Sequence, residues 1–269
     1  MNMIHPLTCI HPDARIGENV MIEPFVNIAK DVVIGDGTRV MSNAVILEGA
    51  RIGKNCTIFP GAVIACIPQD LKFDGEYTMV EIGDNTTIRE CVTVNRGTKS
   101  KGKTVVGNNC LLMAYVHIAH DVCIGNNCVI VSHTGIAGEV GIDDWAIIGG
   151  GTMIHQFVRI GAHVMIGGAS KVRKDVPPYV KAARDPLAYV GVNSIGLRRR
   201  GFPNEKIWEL QDIYRDLYQK GMNHSDALKH IEENYPQSEE RNNVVDFVRN
   251  SKRGIMKGYV TSSEAGEDD

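Results

Sequence analysis

The chain has 269 residues, 43% of them hydrophobic and 23% charged, with 29 Lys and Arg against 32 Asp and Glu for a net charge of −3. This balance excludes a polycationic nucleic-acid binder and a highly charged disordered chain. No run of eighteen apolar residues exists, and the start MNMIHPLTCIHPDA lacks a basic region before an apolar stretch, so neither stable membrane insertion nor export is expected.

From Ile4 an aliphatic residue recurs every six positions. Of the 29 positions from 4 to 172 in this phase, 26 are Ile, Val or Leu, and only Asp70, Glu76 and Ser100 break the series, far above what 43% hydrophobic composition would place there. Gly often follows the aliphatic residue (Gly17, Gly35, Gly53, Gly83, Gly107, Gly125, Gly161, Gly167), and Asn often stands three after it (Asn19, Asn55, Asn85, Asn109, Asn127). Asn tolerates left-handed backbone angles, so these positions read as tight turns. A period of six fits neither a helix nor a long strand. It predicts a mainly β fold, a parallel β-helix over 1–178, with three six-residue faces per 18-residue coil and coils about 4.7–4.9 Å apart. Residues eighteen apart then stack. Such a prism fills with aliphatics, which suits the 6% aromatic content.

Residues 66–79 and 97–104 leave the repeat and read as projecting loops, which often carry function. The repeat stops after Pro177-Pro178. Residues 179–261 read as a small C-terminal α-helical region: Ile207, Leu210, Ile213, Tyr214 and Leu217 follow helical spacing behind Pro203, and Leu228, Ile231, Val244, Val245, Phe247 and Val248 suggest two or three more short helices. The end, 262–269, reads as a disordered acidic tail. The seven cysteines form no CxxC pair, which fits reduced thiols in a cytoplasmic protein. Cys110 and Cys128, eighteen apart, should stack as small core residues, and Met153 and Met165 should fill groove or core.

Five of the nine histidines fall between 117 and 163: His117, His120, His133, His155 and His163. Corner side chains of a solenoid should point outward, so most of these should be exposed or at a subunit contact. By the eighteen-residue rule, Gly138 lies one coil beyond His120, and Gln156, beside His155, lies two coils beyond. A neutral imidazole suits general-base work, Asp121 can orient it, and Gly138 offers an unobstructed N–H for an oxyanion.

The aliphatic-Gly-x-x-small-x repeat resembles that of the hexapeptide-repeat acyltransferases, which implies left-handed winding. The strings DLK (70–72), HIAHD (117–121), AIIGG (146–150), HQF (155–157), GAHVMIGG (161–168), DVPPYV (175–180) and RRGF (199–202) look like the UDP-N-acetylglucosamine O-acyltransferases, which catalyse the first step of lipid A synthesis. The resemblance implies transfer of a 3-hydroxyacyl chain from acyl carrier protein to the sugar 3-hydroxyl, in a cytoplasmic homotrimer with grooves between prisms. It implies no metal and no cofactor beyond the carrier's phosphopantetheine. It implies His120 as general base, Asp121 as its orienter and Gly138 as oxyanion donor. His117, His155, Gln156, Asp70 and Lys72 would hold the sugar nucleotide and acyl hydroxyl. Asn193 and Arg200 would contact uridine and phosphates, Arg199 the phosphate or the carrier, and Gly168 would measure acyl-chain length.

Three positions depart from the family pattern: Glu139 and Asn95 stand where histidines are expected, and Ile195 where an acidic residue would hold the ribose. Residues 171–200 carry eight basic residues (Lys171, Arg173, Lys174, Lys181, Arg184, Arg198, Arg199, Arg200) against Asp175 and Asp185, which reads as a docking surface for an acidic carrier protein. Two related readings compete. One is an N-acyltransferase acting on a 3-amino sugar nucleotide. The other is a γ-type carbonic anhydrase binding zinc through His117, His120 and His155.

Overall fold

The structure, a computed structural model, describes residues 1–258. Short strands, most of them two residues long, alternate with turns from Met3–Ile4 to Lys171–Val172. They build three sheets of twelve, nine and eight strands. Within the coils every pairing is parallel and, between the excursions and the top, advances by one coil of eighteen residues: Leu111, Val129, Ile147 and Met165 stand in register in the first sheet, and His117, Gly135, Met153 and Lys171 in the second. The winding is left-handed.

The inward position of each strand holds the aliphatic of the repeat. Ile118, Ile136 and Ile154 stack at 0–3% exposure, as do Ile130, Ile148 and Ile166. Each such side chain contributes roughly 1.5–3 kcal/mol by leaving water. The turns take left-handed angles as expected: Asn19, Asn55, Asn85, Asn109 and Asn127 have φ between 54° and 58°. Larger residues at the same beat, including Tyr115, Asp121, His133, Glu139, Trp145, Phe157 and His163, share this conformation. Cys110 and Cys128 are buried, while Met153 and Met165 are 56% and 39% exposed and therefore line the surface rather than the core.

The first sheet outlasts the repeat. Val180–Ala183 pairs with Met165–Ile166, and Ala188–Val192 returns antiparallel to it. The expected boundary at 178 therefore moves, because the last coil still has main-chain donors and acceptors to satisfy. Four helices follow: α1 (Ser194–Arg199), α2 (Asn204–Gln219), α3 (His224–Asn234) and α4 (Glu239–Arg249). The α2 stripe Ile207, Leu210, Ile213, Tyr214 and Leu217 is buried, and Tyr214 OH donates to the Pro178 carbonyl at 2.6 Å, fastening the helices over the end of the prism.

The excursions are shorter than expected. Cys66 ends the strand Val63–Cys66, Met79 opens Met79–Ile82, and Lys103 opens Lys103–Val106, so the chain leaves the coils over 67–78 and 96–102. The strand ends remain paired wherever an adjacent coil offers a partner, as Met79 does with Lys103. The acidic tail expected at 262–269 lies outside the described residues.

Candidate active site

The corner between the second and third sheets carries the His120 column. Glu139 N donates to the His120 carbonyl (3.0 Å) and Phe157 N to the Gly138 carbonyl (3.2 Å), so the three coils stack as the spacing requires. His120 is 9% exposed and Asp121 fully buried. His120 is not among the exposed histidines, because Asp70 of the first excursion and Thr98 and Lys101 of the second lie over this corner.

Asp121 Oδ2 lies 2.8 Å from His120 Nδ1. The same carboxylate accepts from Thr98 N (3.0 and 3.1 Å), Thr98 Oγ1 (2.6 Å) and Lys101 N (3.2 Å), while its own N–H donates to Thr104 Oγ1 at 2.9 Å. A carboxylate surrounded by donors is an acceptor toward the imidazole as well, so Nδ1 carries the proton and Nε2 offers the lone pair. Nε2 faces Asp70 Oδ2 at 3.8 Å.

Gly138 lies against the imidazole. A Cβ there would sit 2.5 Å from His120 Cε1, so glycine is required by close approach. Among the described residues the Gly138 N–H has no acceptor, which leaves it free for a developing negative charge.

His117 projects from the second sheet one strand before the corner, with Nδ1 2.7 Å from Thr93 Oγ1. Burial holds its pKa below the usual histidine value, so it is neutral at pH 7. Gly135 above it leaves room for Met153. His155 is exposed, with Nδ1 3.0 Å from the Gln156 carbonyl, and Gln156 is half-buried at the column's upper end. Lys72 is exposed on the first excursion, where its N–H donates to Asp70 Oδ1 at 3.0 Å. That excursion is fastened by Tyr77 OH, which donates to Asp31 Oδ2 at 2.7 Å.

Asn193 and Arg200 gather at a different corner, between the third and first sheets, around His163. Asn193 caps α1 by accepting from Gly196 N and donates from Nδ2 to the His163 carbonyl at 2.9 Å. Arg200 donates to the Trp145 carbonyl at 3.0 Å and spreads over the Trp145 ring, 5.2 Å from its centroid. His163 stacks between Trp145 and Tyr179, and burial together with the Arg200 charge pushes its pKa down to about 4. Arg199 is exposed at the end of α1. Gly168 lies at the third corner, between the first and second sheets, exposed, with space beyond the Gly150 carbonyl. One chain thus brings His120, Asp121, Asp70 and Gly138 together but holds Asn193 and Arg200 apart from them.

Of the three departures, Asn95 is buried at 2% and Ile195 is 62% exposed. Within the basic segment, Asp175 is buried and holds Arg159 N and Ser251 Oγ, while Lys171 pairs with Asp185 at 2.9 Å. Thr98, Lys101 and Thr104, which hold Asp121, carry no sequence period linking them to it. The interruption of the repeat just before HIAHD is the one signal that could have pointed to them.

A family model described as UDP N-acetylglucosamine O-acyltransferase, domain 2, matches residues 175–256, and one described as bacterial transferase hexapeptide (six repeats) matches 103–138. The GMPPB C-terminal domain model matches 4–68. The acyl-[acyl-carrier-protein]–UDP-N-acetylglucosamine O-acyltransferase of Chlorobaculum parvum is 58% identical over 255 residues, covering 94% of this chain and 97% of that protein. The enzyme of that name from Halorhodospira halophila is 40% identical over 258 residues, covering 96% and 100%. The crystal structure of a UDP-N-acetylglucosamine acyltransferase from Bacteroides fragilis superposes with a TM-score of 0.94 at 58% identity, covering 95% of this chain and all of that one. The Francisella novicida enzyme superposes at 0.93 with 40% identity, covering 97% and 96%.

Proposed function

This chain belongs to the UDP-N-acetylglucosamine O-acyltransferase family, and we propose that its residues carry the reaction with His120 as the base. The enzyme transfers a 3-hydroxyacyl chain from acyl carrier protein to the 3-hydroxyl of UDP-N-acetylglucosamine, the first step of lipid A synthesis. His120 Nε2 takes the proton of the 3-hydroxyl as its oxygen attacks the thioester carbonyl. The oxyanion of the tetrahedral intermediate accepts from Gly138 N–H. Collapse breaks the carbon–sulfur bond, and the proton held by His120 passes to the leaving phosphopantetheine thiolate. Asp121 keeps Nδ1 protonated and stabilises the imidazolium between the two transfers.

The observation carrying this reading is the 2.8 Å contact of His120 Nδ1 with a buried carboxylate, one coil below an unpaired Gly138 N–H. Asp70, which faces the base at 3.8 Å, would hold the sugar and acyl hydroxyl together with Lys72 on the same excursion, His117 on the strand before His120, and His155 and Gln156 two coils above it. Gly168 lies three coils above the His120 coil, roughly 14 Å, where a side chain would end an acyl groove. The donor brings its own phosphopantetheine, and the protein supplies no cofactor.

We assign Asn193, Arg199 and Arg200 to the nucleotide. Because Asn193 and Arg200 occupy another corner than His120, the base of one prism and the phosphate-binding groups of a neighbour would complete each site, as in a homotrimer. The basic segment 171–200 would receive the acidic carrier protein. Acyl carrier protein and a sugar nucleotide as substrates would suit a reaction in the cytoplasm; no helix among the described residues is long and apolar enough to cross a membrane.

Incubation with UDP-N-acetylglucosamine and 3-hydroxyacyl carrier proteins of graded length, read by mass spectrometry, tests the reading. The expected product is the 3-O-acylated sugar nucleotide. Product only from a 3-amino sugar nucleotide, as an amide, would overturn the acceptor, and sedimentation as a monomer would overturn the shared site.

A further inference from the structure

Glu139 occupies the corner position one coil above Asp121, and both residues adopt left-handed angles, φ 65° and 60°. Its carboxylate turns toward the 96–102 excursion. Oε1 accepts from Ser100 Oγ at 2.5 Å and Oε2 pairs with Lys101 Nζ at 3.3 Å, with the Glu139 side chain only 16% exposed. Lys101 Nζ also donates to the Asp121 carbonyl at 3.0 Å and to the Glu139 carbonyl at 3.5 Å, tying two successive coils. The same excursion supplies Thr98 N, Thr98 Oγ1 and Lys101 N to the Asp121 carboxylate. Residues 98 and 101 therefore hold Asp121, while residues 100 and 101 are held by Glu139.

Main-chain bonds fix the two ends of the excursion, with Arg96 N donating to the Cys66 carbonyl (2.9 Å), Gly97 N to the Met79 carbonyl (3.2 Å) and Met79 N to the Gly102 carbonyl (3.0 Å), and between them residues 99–101 depend on side-chain contacts. Lys99, Ser100 and Lys101 are exposed, Gly102 bends with φ 74°, and the other side chain reaching in from outside is Glu76, whose Oε1 accepts from Lys99 N at 2.9 Å. No apolar side chain of residues 98–102 anchors it in the core, so its shape depends on these polar contacts. A fully buried carboxylate, in turn, must be met by donors, or its charge is held at high cost.

We infer that Glu139 is a positioning residue for the proton transfer: it latches the 96–102 excursion onto the prism, so that Thr98 and Lys101 keep the Asp121 carboxylate aimed at His120 Nδ1. The inference rests on the acyl-transfer reading of the His120 site. The Glu139 side chain contacts neither the His120 imidazole nor the reacting atoms and acts through the loop; its main-chain N–H meets the His120 carbonyl at 3.0 Å, a bond that the side-chain substitutions below leave in place. A shift of about 1 Å in catalytic geometry can cost up to roughly 100-fold in rate, so the latch is worth measuring by kinetics as well as by stability.

The test uses the full chain with Glu139→Ala and Glu139→Gln, the latter keeping an acceptor for Ser100 while losing the charge that pairs with Lys101. Hydrogen exchange of the 96–104 peptide reads the loop without turnover. In Glu139→Ala its amides should exchange about tenfold faster or more. Turnover with acyl carrier protein and UDP-N-acetylglucosamine should show kcat lowered roughly 10–100-fold, KM for the nucleotide held within about twofold, and Glu139→Gln in between. In a Thr98→Val or Asp121→Asn background the kcat loss from Glu139→Ala should shrink, since all three act on one carboxylate. Unchanged loop exchange would overturn the inference, as would a loosened loop with kcat intact or fully additive losses. A wild-type chain that makes no acylated product would defeat the acyl-transfer reading instead, and loop exchange alone would then decide the latch.

Discussion

The imidazole of His120 lies between two carboxylates from different parts of the chain: Nδ1 contacts Asp121 in its own coil, and Nε2 faces Asp70 at 3.8 Å across the first excursion. The two sides differ in character. Asp121 is fully buried and saturated with donors, so it fixes the tautomer, whereas Asp70 is part-exposed and borders the space the substrate hydroxyl must enter. This asymmetry sets which nitrogen does the chemistry.

His120→Ala should therefore fold normally and lose roughly 10²–10⁴ in kcat. Steady-state turnover beside a circular dichroism melt checks both halves, and retention of most activity would remove His120 from its role.

Gly138→Ala tests the glycine without replacing a titratable residue. Its Cβ would press on the His120 ring, 2.5 Å from Cε1, so the imidazole must tilt away from the donor it works with. The expected result is a kcat loss of about 10-fold or more, with KM changed far less. An active variant would show that the ring has room the structure does not provide.

The pH dependence of stability should carry the mark of His163. Its folded pKa, pushed down to about 4 by burial and Arg200, lies below the ordinary value near 6.5. Between these values the unfolded chain binds the extra proton, so stability rises with pH from about 4 to 6.5 and is flat above. The ring keeps a solvent-facing edge, so the contribution is on the order of 1–2 kcal/mol after allowing for screening. Urea unfolding at pH 7 and pH 5 should show a smaller difference for His163→Phe, which keeps the stack on Trp145 and Tyr179. An identical difference would assign the effect elsewhere.

Gly168→Met should shift donor preference toward shorter acyl chains. Gly168 is exposed and its backbone angles suit any residue, with a Cβ meeting only the Gly150 main chain, its carbonyl oxygen at 3.1 Å and its N at 3.8 Å. Competition among 3-hydroxyacyl carrier proteins of graded length reads the result, and an unchanged preference would refute the measuring role.

The prism was legible in the order of the isoleucines because a six-residue beat admits one way to stack Ile118, Ile136 and Ile154. The alignment of His120 with Gly138 followed from the same arithmetic. What the beat could not carry was anything outside it. Asp70 and Thr98 reach His120 and Asp121 through excursions whose paths obey no period, and Glu139 gains its partners from the second of them. The pairing of Val180–Ala183 with the last coil was hidden for the opposite reason: a sheet edge recruits whatever strand follows, whether or not the repeat continues.

The two ends of the prism are unlike. At the top, α2 and its neighbours cover the last coils, with Tyr214 fully buried. At the bottom, Met3 and Ile4 are 60% and 43% exposed, and the inward aliphatics are sealed only from Val20 onward. A stack whose layers touch only the layers above and below loses cooperativity at an unsealed end. The molecule should therefore unzip from its first coil, fraying reversibly there while the layers bearing His120, deep in the stack, remain closed.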